Sequence, residues 1–409
     1  MASVRTIYNL SAKLASNSQW KRKSTTNLVD ILRQQGSRFL SYQATFKASD
    51  LEVEFADPSQ LKFKPKVEDL KFGKDFTDHM LEIKWTEADG WGKPKISPYH
   101  NLQMDPAAKV LHYSVELFEG MKGFRGRDGQ LRMFRPEMNM ARMNNTAARS
   151  ALPTFDGGEL IELLKKLVSI DQEWVPHSES ASIYIRPTMI GTEPMLGVQR
   201  PTEALLFVIL SPSGPYFSTG FQPCKLLADP QYVRAWPGGC GAMKMGSNYG
   251  PTLAIQKIAE AKGMQQVLWL YGEDHQITEV GAMNLFVFLD KGNGEKELVT
   301  AGLEKGLILP GVTRNTLLTL GREWGEFKVS ERDITMAEII QAESENRLLE
   351  VFGAGTAAVV TPVGEIHFKD QVIKIPTMDH DQPLNQRFYN TITDMQYGRV
   401  QHPWAPIIE

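Results

Sequence analysis

Two lobes that each mix strands and helices, an α+β fold, are what this 409-residue sequence predicts. Three observations carry that reading. Short β-branched and aromatic runs recur along both halves of the chain. Stretches with apolar residues at helical spacing fall between them. A Pro/Gly/Ser-rich break, Ser211-Pro212-Ser213-Gly214-Pro215 then Ser218-Thr219-Gly220, separates the halves. A hydrophobic content of 42% and a charged content of 23% are ordinary for a packed chain and exclude bulk disorder.

The elements follow in order. From residue 1 to residue 43 the bases Arg5, Lys13, Lys21, Arg22, Lys23, Arg33 and Arg38 face one acid, Asp30, among recurrent serines. That composition reads as a mitochondrial presequence or a solvated disordered tail, and residues 1–50 are set apart from the fold. A Lys/Pro-containing linker spans 57–74. Residues 80–85 read as a strand, 89–92 as a turn, 110–117 as an extended apolar run and 131–134 as a hairpin partner. Residues 136–151 read as a helix opened by Pro136. A stronger helix is expected over 156–174, where Leu160, Leu163, Leu164, Leu167 and Val168 fall on one face. Residues 182–187 and 204–210 read as strands of one sheet. Beyond the break come a helix at 252–262 closed by Gly263, strands at 267–270 and 285–288, and helices at 312–324 and 336–343. The division expected is a smaller domain at 51–212, a linker at 213–224 and a larger domain at 225–409.

Several function classes are excluded. Net charge is −3, so no basic excess marks a nucleic-acid binder. The longest apolar run, 204–210, is far short of the roughly 20 residues of a membrane helix. Cys224 and Cys240 are too few for a disulfide framework or a cysteine zinc site, and the histidines lack metal-ligand spacing, so no metal is expected. No dinucleotide fingerprint, phosphate loop, HExxH or nucleophile elbow occurs.

What remains is a set of loops. Lys244 stands before Gly246-Ser247-Asn248-Tyr249-Gly250-Pro251. Such a lysine is ordinarily a surface residue; buried with a depressed pKa, it is a nucleophile or Schiff-base former. Glu279 in Thr278-Glu279-Val280-Gly281 is ordinarily solvent-exposed; buried, it needs a cationic partner. Gly311-Val312 opens a helix and Gly353-Ala354-Gly355-Thr356 is a turn, and both suit phosphate or serve as plain caps. A lysine, an acid and two anion-binding turns together suit a phosphorylated cofactor with a carbonyl, which points to pyridoxal phosphate.

Longer motifs go further. Phe72-Gly73-Lys74-Asp75-Phe76-Thr77-Asp78-His79-Met80, Leu111-His112-Tyr113 and Leu117-Phe118-Glu119-Gly120-Met121-Lys122 begin an ordered series. It continues through Phe134-Arg135-Pro136, Asn139-Met140, Arg142-Met143, Tyr184-Ile185-Arg186-Pro187 and Gly191-Thr192-Glu193-Pro194. Lys244-Met245-Gly246, Asn248-Tyr249-Gly250-Pro251, Thr278-Glu279-Val280-Gly281, Leu309-Pro310-Gly311-Val312-Thr313-Arg314 and Val351-Phe352-Gly353-Ala354-Gly355-Thr356-Ala357 complete it. The series resembles the eukaryotic branched-chain-amino-acid aminotransferases, of the fold-type IV group of pyridoxal-phosphate enzymes, from about Phe72 to the C-terminus.

The resemblance implies a two-lobed fold-type IV aminotransferase fold and a homodimer of the mitochondrial matrix. It implies transfer of the amino group of leucine, isoleucine or valine to 2-oxoglutarate. Lys244 would carry the cofactor as a Schiff base and shuttle the Cα proton. Glu279 would pair with the pyridine nitrogen and Tyr249 with the phenolate oxygen. Arg142, Thr356 and the N–H groups of Val312 and Thr313 would bind the phosphate. Phe72, Phe118 and Tyr216 would line an apolar pocket with Tyr113 and Tyr184 at its rim and Ala357 in the substrate site. Arg186 would help accept the distal carboxylate of glutamate, and Leu196 and Val198 would be lent across a dimer interface. Two departures stand out. Ala358 and Thr361 occupy the positions of a CxxC redox switch found in mammalian mitochondrial members, and Ala282 stands where many relatives have threonine. The alternatives are another fold-type IV enzyme, such as a D-amino-acid aminotransferase or aminodeoxychorismate lyase, and an inactive scaffold on the same fold.

Overall fold

The computed structural model describes residues 45–214 and 221–408. The first lobe is a twisted sheet with three helices. Its strands are β1 (Glu52–Val53), β2 (His79–Thr86), β3 (Gly90–Trp91), β4 (Lys95–Pro98), β5 (Glu116–Phe118), β6 (Met121–Arg125), β7 (Leu131–Met133), β8 (Ser182–Gly191) and β9 (Glu203–Ser213). The order is β1-β4-β2-β9-β8-β6-β7, with β3 beside β2 and β5 beside β8. The long pair β8–β9 runs in antiparallel register from Ser182↔Ser213 to Gly191↔Ala204. This pair is the centre of the sheet, which is why 204–210 is almost continuously apolar rather than alternating.

The helices are α1 (Lys109–Tyr113), α2 (Pro136–Arg149) and α3 (Gly157–Ile170). Asp156 caps α3 by accepting the Gly158 N–H at 2.9 Å. The apolar face expected for α3 is buried: Leu160, Leu163, Leu164, Leu167 and Val168 join Leu81, Ile83, Leu206 and Val208 in the first core. Each such side chain contributes about 1.5–3 kcal/mol by leaving water.

Four expectations are corrected here. Residues 110–117 are extended only at their end: Lys109–Tyr113 forms a helical turn ending at Ser114 in the left-handed region, and β5 takes up Glu116 and Leu117. The helix over 156–174 stops at Ile170, and a separate 3-10 turn, Gln172–Trp174, follows. The folded body begins before residue 51, because Phe46 is buried, stacked on Phe155 and edge-on to Trp91. The chain also ends in the first lobe. The Ile408 N–H donates to Leu131 O at 2.7 Å, Met133 N–H donates to Pro406 O, and Ile408 enters the first core. The tail thus pairs the open edge of β7, which sequence periodicity could not reveal.

The second lobe contains β10 (Cys224–Ala228), β11 (Gln266–Tyr271), β12 (Gln276–Val280), β13 (Met283–Asp290), β14 (Lys296–Thr300), β15 (Lys328–Glu331), β16 (Leu348–Gly355), β17 (Val359–Phe368) and β18 (Gln371–Lys374). Its order is β12-β11-β10-β17-β16-β13-β14-β15, with a further pairing of β12 to β13. That pairing, Glu279↔Asn284 and Val280↔Met283, closes a barrel around Leu226, Leu268, Leu285, Val287, Val351 and Val363. Around it lie α4 (Thr252–Ala261), α5 (Val312–Trp324), α6 (Met336–Ser344) and α7 (Leu384–Gln396). Thr335 caps α6 by accepting the Glu338 N–H, the T-x-x-E pattern read at helix starts. A third cluster binds the lobes together: Phe124 and Phe134 pack with Phe286, Phe352 and Phe388. Among the described residues, no helix is long and apolar enough to cross a membrane and no acid, histidine or cysteine cluster is placed to hold a metal.

Candidate active site

Between the lobes lies a cavity of about 270 Å³. The first lobe supplies Phe72, Phe118, Gly120, Arg142, Tyr184 and Arg186, and the second supplies Lys244, Tyr249, Val312, Thr313, Thr356 and Ala357. Backbone bonds knit the two contributions: Phe118 N–H donates to Lys244 O at 3.1 Å, and Lys244 N–H donates to Thr146 Oγ1 on α2 at 3.2 Å.

Lys244 Nζ is 3.1 Å from Tyr249 Oη and lies over the rings of Phe118 and Tyr249 at 4.7 and 5.1 Å. The side chain is half-buried and lines the cavity. Burial, helped by the nearby Arg142 charge, pushes its amine down to about 7. Burial likewise keeps the Tyr249 phenol protonated well above its ordinary value. The surface-lysine alternative therefore fails, and a free amine is available near neutral pH.

Glu279 sits at the barrel closure, 3% exposed. Its carboxylate accepts the Leu309 N–H at 2.6 Å, and its Oε2 lies 3.1 Å from Arg234 Nε. That contact is an ion pair without hydrogen-bond alignment, since Arg234 Nε has no aligned acceptor. Burial pushes the Glu279 carboxyl up, and Arg234 opposes the shift. Glu279 and Arg234 line an adjoining hollow that shares Tyr249 and Ala282 with the central cavity.

Arg142 is held by Glu119 in a fully buried bidentate pair, both contacts 2.7 Å, and it donates to Pro310 O at 3.1 Å. Burial alone would raise Glu119, but Arg142 holds it below the usual carboxylate range. Three of the five guanidinium N–H donors are thus engaged, leaving two for an anion. Arg142 reaches the start of α5, where Gly311 is the cap residue and no side chain occupies the open amides. A Cβ on Gly311 would come within 2.1 Å of Asn284 Oδ1, so glycine permits this close approach. The Arg186 guanidinium lies 4.6 Å from the Phe118 ring centre, donates to Tyr184 Oη, and leaves its Nε without a partner.

A family model described as amino-transferase class IV matches residues 116–366. The chain is 53% identical over 384 residues to the cytosolic branched-chain-amino-acid aminotransferase of Caenorhabditis elegans, covering 92% of each. The chain belongs to the branched-chain-amino-acid aminotransferases. It is also 51% identical over 362 residues to the mitochondrial branched-chain-amino-acid aminotransferase of Bos taurus, covering 88% of this chain and 92% of that one. The branched-chain aminotransferase of Thermoproteus uzoniensis, solved with norvaline, superimposes with a TM-score of 0.64 at 21% identity, over 80% of this chain and 99% of that one. The Escherichia coli enzyme gives 0.62 at 23% identity, over 80% and 99%. These two likenesses concern the fold.

In this aminotransferase the loop residues Leu196 and Val198 lie outside the cavity of their own chain, 60% and 81% exposed. Tyr113 is also away from the cavity, and its hydroxyl donates to Leu196 O. Tyr216 lies outside the described residues. Ala282 lines the cavity. The turn read at Gly353-Ala354-Gly355-Thr356 is shifted: β16 runs to Gly355 and the turn occupies 356–358. Sequence reasoning missed Glu119, Arg234 and Asn284 as site residues. Glu119 was within a quoted motif, but its burial and its pairing with Arg142 had no local signal. The arrangement fits a phosphorylated carbonyl cofactor: a free amine, a partly unengaged arginine and an uncapped helix start meet at one cavity, and a buried acid lines the hollow that adjoins it.

Proposed function

We propose that the protein transaminates L-leucine, L-isoleucine and L-valine with 2-oxoglutarate, using pyridoxal 5′-phosphate bound at Lys244. The observation that carries this reading is the Lys244 amine, with its pKa near 7, on the wall of a cavity lined by Phe72, Phe118, Tyr184 and the Arg186 guanidinium. Pyridoxal 5′-phosphate, when bound, supplies the electron sink that takes up the pair left by Cα–H cleavage. The chain supplies the rest. Lys244 would remove the proton from the Cα of the amino donor in one half of the cycle and deliver a proton to the Cα of the new amino acid in the other. Tyr249 orients the amine through its hydroxyl. Glu279, beside Arg234, would hold the proton on the ring nitrogen. Arg142, Thr356 and the α5 amides of Val312 and Thr313 hold the phosphate. Phe72, Phe118 and Tyr184 would pack a branched side chain, and Arg186 would receive the second carboxylate of glutamate.

The protein works as a homodimer in which Leu196 and Val198 of one protomer approach the site of its partner. Their exposure in the single chain supports this. Light scattering of V198E should give a monomer with reduced activity; a V198E dimer would remove that role. Residues 1–50 direct the protein to the mitochondrial matrix, supported by their Arg/Ser composition. Fusion of these residues to a reporter tests that address, and a cytosolic reporter refutes it.

The deciding experiment is the visible and near-ultraviolet absorption spectrum of the holoenzyme. Addition of L-leucine should shift the cofactor band, and 2-oxoglutarate should restore it. A spectrum that ignores L-leucine but answers a D-amino acid would keep the fold and overturn the substrate. A protein that never takes up the cofactor would overturn the activity.

A further inference from the structure

A second cavity, of about 180 Å³, lies beside the active one. One wall is the end of the β6–β8 pair. Lys122 on β6 stands opposite Tyr184 on β8, so Ser182 is its diagonal neighbour on the same face of the sheet. The other wall is α7, which brings Tyr389, Thr393 and Gln396 to the cavity at helical spacing. The Tyr397 hydroxyl donates to Ala181 O at 3.0 Å and ties the end of α7 to the start of β8. Lys122, Ser182 and Gln396 line this cavity and not the active one.

Three polar groups here are left wanting. Lys122 Nζ donates to Ala357 O at 2.6 Å, and its other two N–H groups have no partner among the described residues. Among the described lining residues Lys122 is the only base, and the only acid, Glu179, is ion-paired with Arg127 and Arg399. Burial pushes the Lys122 amine down to about 8, which still leaves it largely cationic at neutral pH. Gln396 is 6% exposed and its Oε1 has no hydrogen-bond partner. The buried Ser182 hydroxyl donates to no acceptor among the described residues. A buried cation without a counter-ion and a buried acceptor without a donor are each costly. Together in one cavity they specify a ligand: a negative charge for Lys122 and a hydrogen-bond donor for Gln396.

We propose that this cavity is a second binding site, distinct from the active one, for a short hydroxycarboxylate: the carboxylate takes the Lys122 ammonium and the Ser182 hydroxyl, and the ligand's own hydroxyl donates to Gln396 Oε1. A water's share of liquid volume is about 30 Å³, so the cavity suits a molecule of about six heavy atoms, the size of lactate. Phe124, Val360 and Pro362 supply an apolar wall for its carbon chain. A second carboxylate on the ligand would meet no further cation there, so dicarboxylates are rejected. The site is independent of the transaminase reading, because it shares none of these three polar groups with the active cavity.

The test is equilibrium dialysis of the holoenzyme against radiolabelled lactate, with excess 2-oxoglutarate present to fill the active cavity. Lactate should remain bound at one per chain. Loss of a charge-assisted bond corresponds to at least about tenfold in binding, so K122Q should weaken the Kd by that factor or more. Propionate, which lacks the hydroxyl, and lactamide, which lacks the charge, should each bind about tenfold more weakly than lactate. In Q396L, lactate and propionate should bind equally, because the acceptor that tells them apart is gone. That comparison decides the matter if K122Q does not fold. No retained lactate, wild-type affinity in K122Q, lactamide binding as tightly as lactate, or undiminished discrimination in Q396L would each overturn the proposal. Dialysis needs no turnover, so its result stands apart from the spectral test of transamination.

Discussion

The Lys244 amine changes from ammonium to free base across a pKa of about 7, because burial and the Arg142 charge disfavour the cation. Only the free base attacks a carbonyl. Uptake of pyridoxal 5′-phosphate by cofactor-free protein should therefore quicken about tenfold between pH 6 and pH 8, with its midpoint near pH 7, as followed by stopped-flow absorbance. A rate still climbing above pH 9 would mean an unperturbed lysine. Lys244→Ala should lower kcat by at least about a thousandfold and abolish the band that shifts with L-leucine. Glu119 makes a different contribution. Glu119→Gln leaves the buried Arg142 guanidinium without its counter-ion and should cost about 3 kcal/mol of stability in urea unfolding. An unchanged midpoint would show that Arg142 had found another acceptor.

At the scale of elements, the site depends on two junctions: the β12–β13 closure that presents Glu279 opposite Asn284, and the start of α5 that lies against the same asparagine. Gly311→Ala should push α5 away from Asn284 and weaken cofactor binding about tenfold, read by titrating cofactor-free protein with pyridoxal 5′-phosphate. Affinity equal to wild type would show that Asn284 yields instead. These junctions also show what sequence can and cannot reveal. The helices α3 and α5 were legible because their apolar spacing and starting residues are local. The Lys244 and Glu279 loops were legible as motifs. Their burial was not, because Arg234 and Leu309 reach Glu279 from distant segments. Residues 110–117 misled for the opposite reason: β-branched and aromatic content suggested a strand, but Lys109 is fully buried and paired with Glu193, and that tertiary tie fixes a helical turn.

For the whole molecule, the two-lobed plan was visible in the alternation of elements. Where the fold begins was not, since Phe46 lies next to a stretch whose composition is that of a presequence. A chain started at Thr45 keeps Phe46 and is the reference for unfolding. One started at Leu51 should lose about 3 kcal/mol, because the slot between Trp91 and Phe155 is left empty. Equal melting of the two shortened chains would mean that the slot collapses without cost.

The tail paired to β7 bears on how the protein is made. During synthesis the first lobe emerges early, with Leu131 and Met133 presenting bare backbone at its rim. The residues that cover this rim, Pro406 and Ile408, leave the ribosome only after the entire barrel. Through most of its synthesis the nascent chain thus carries a sticky margin that residues 406–408 will seal, and that interval is when a chaperone has something to hold.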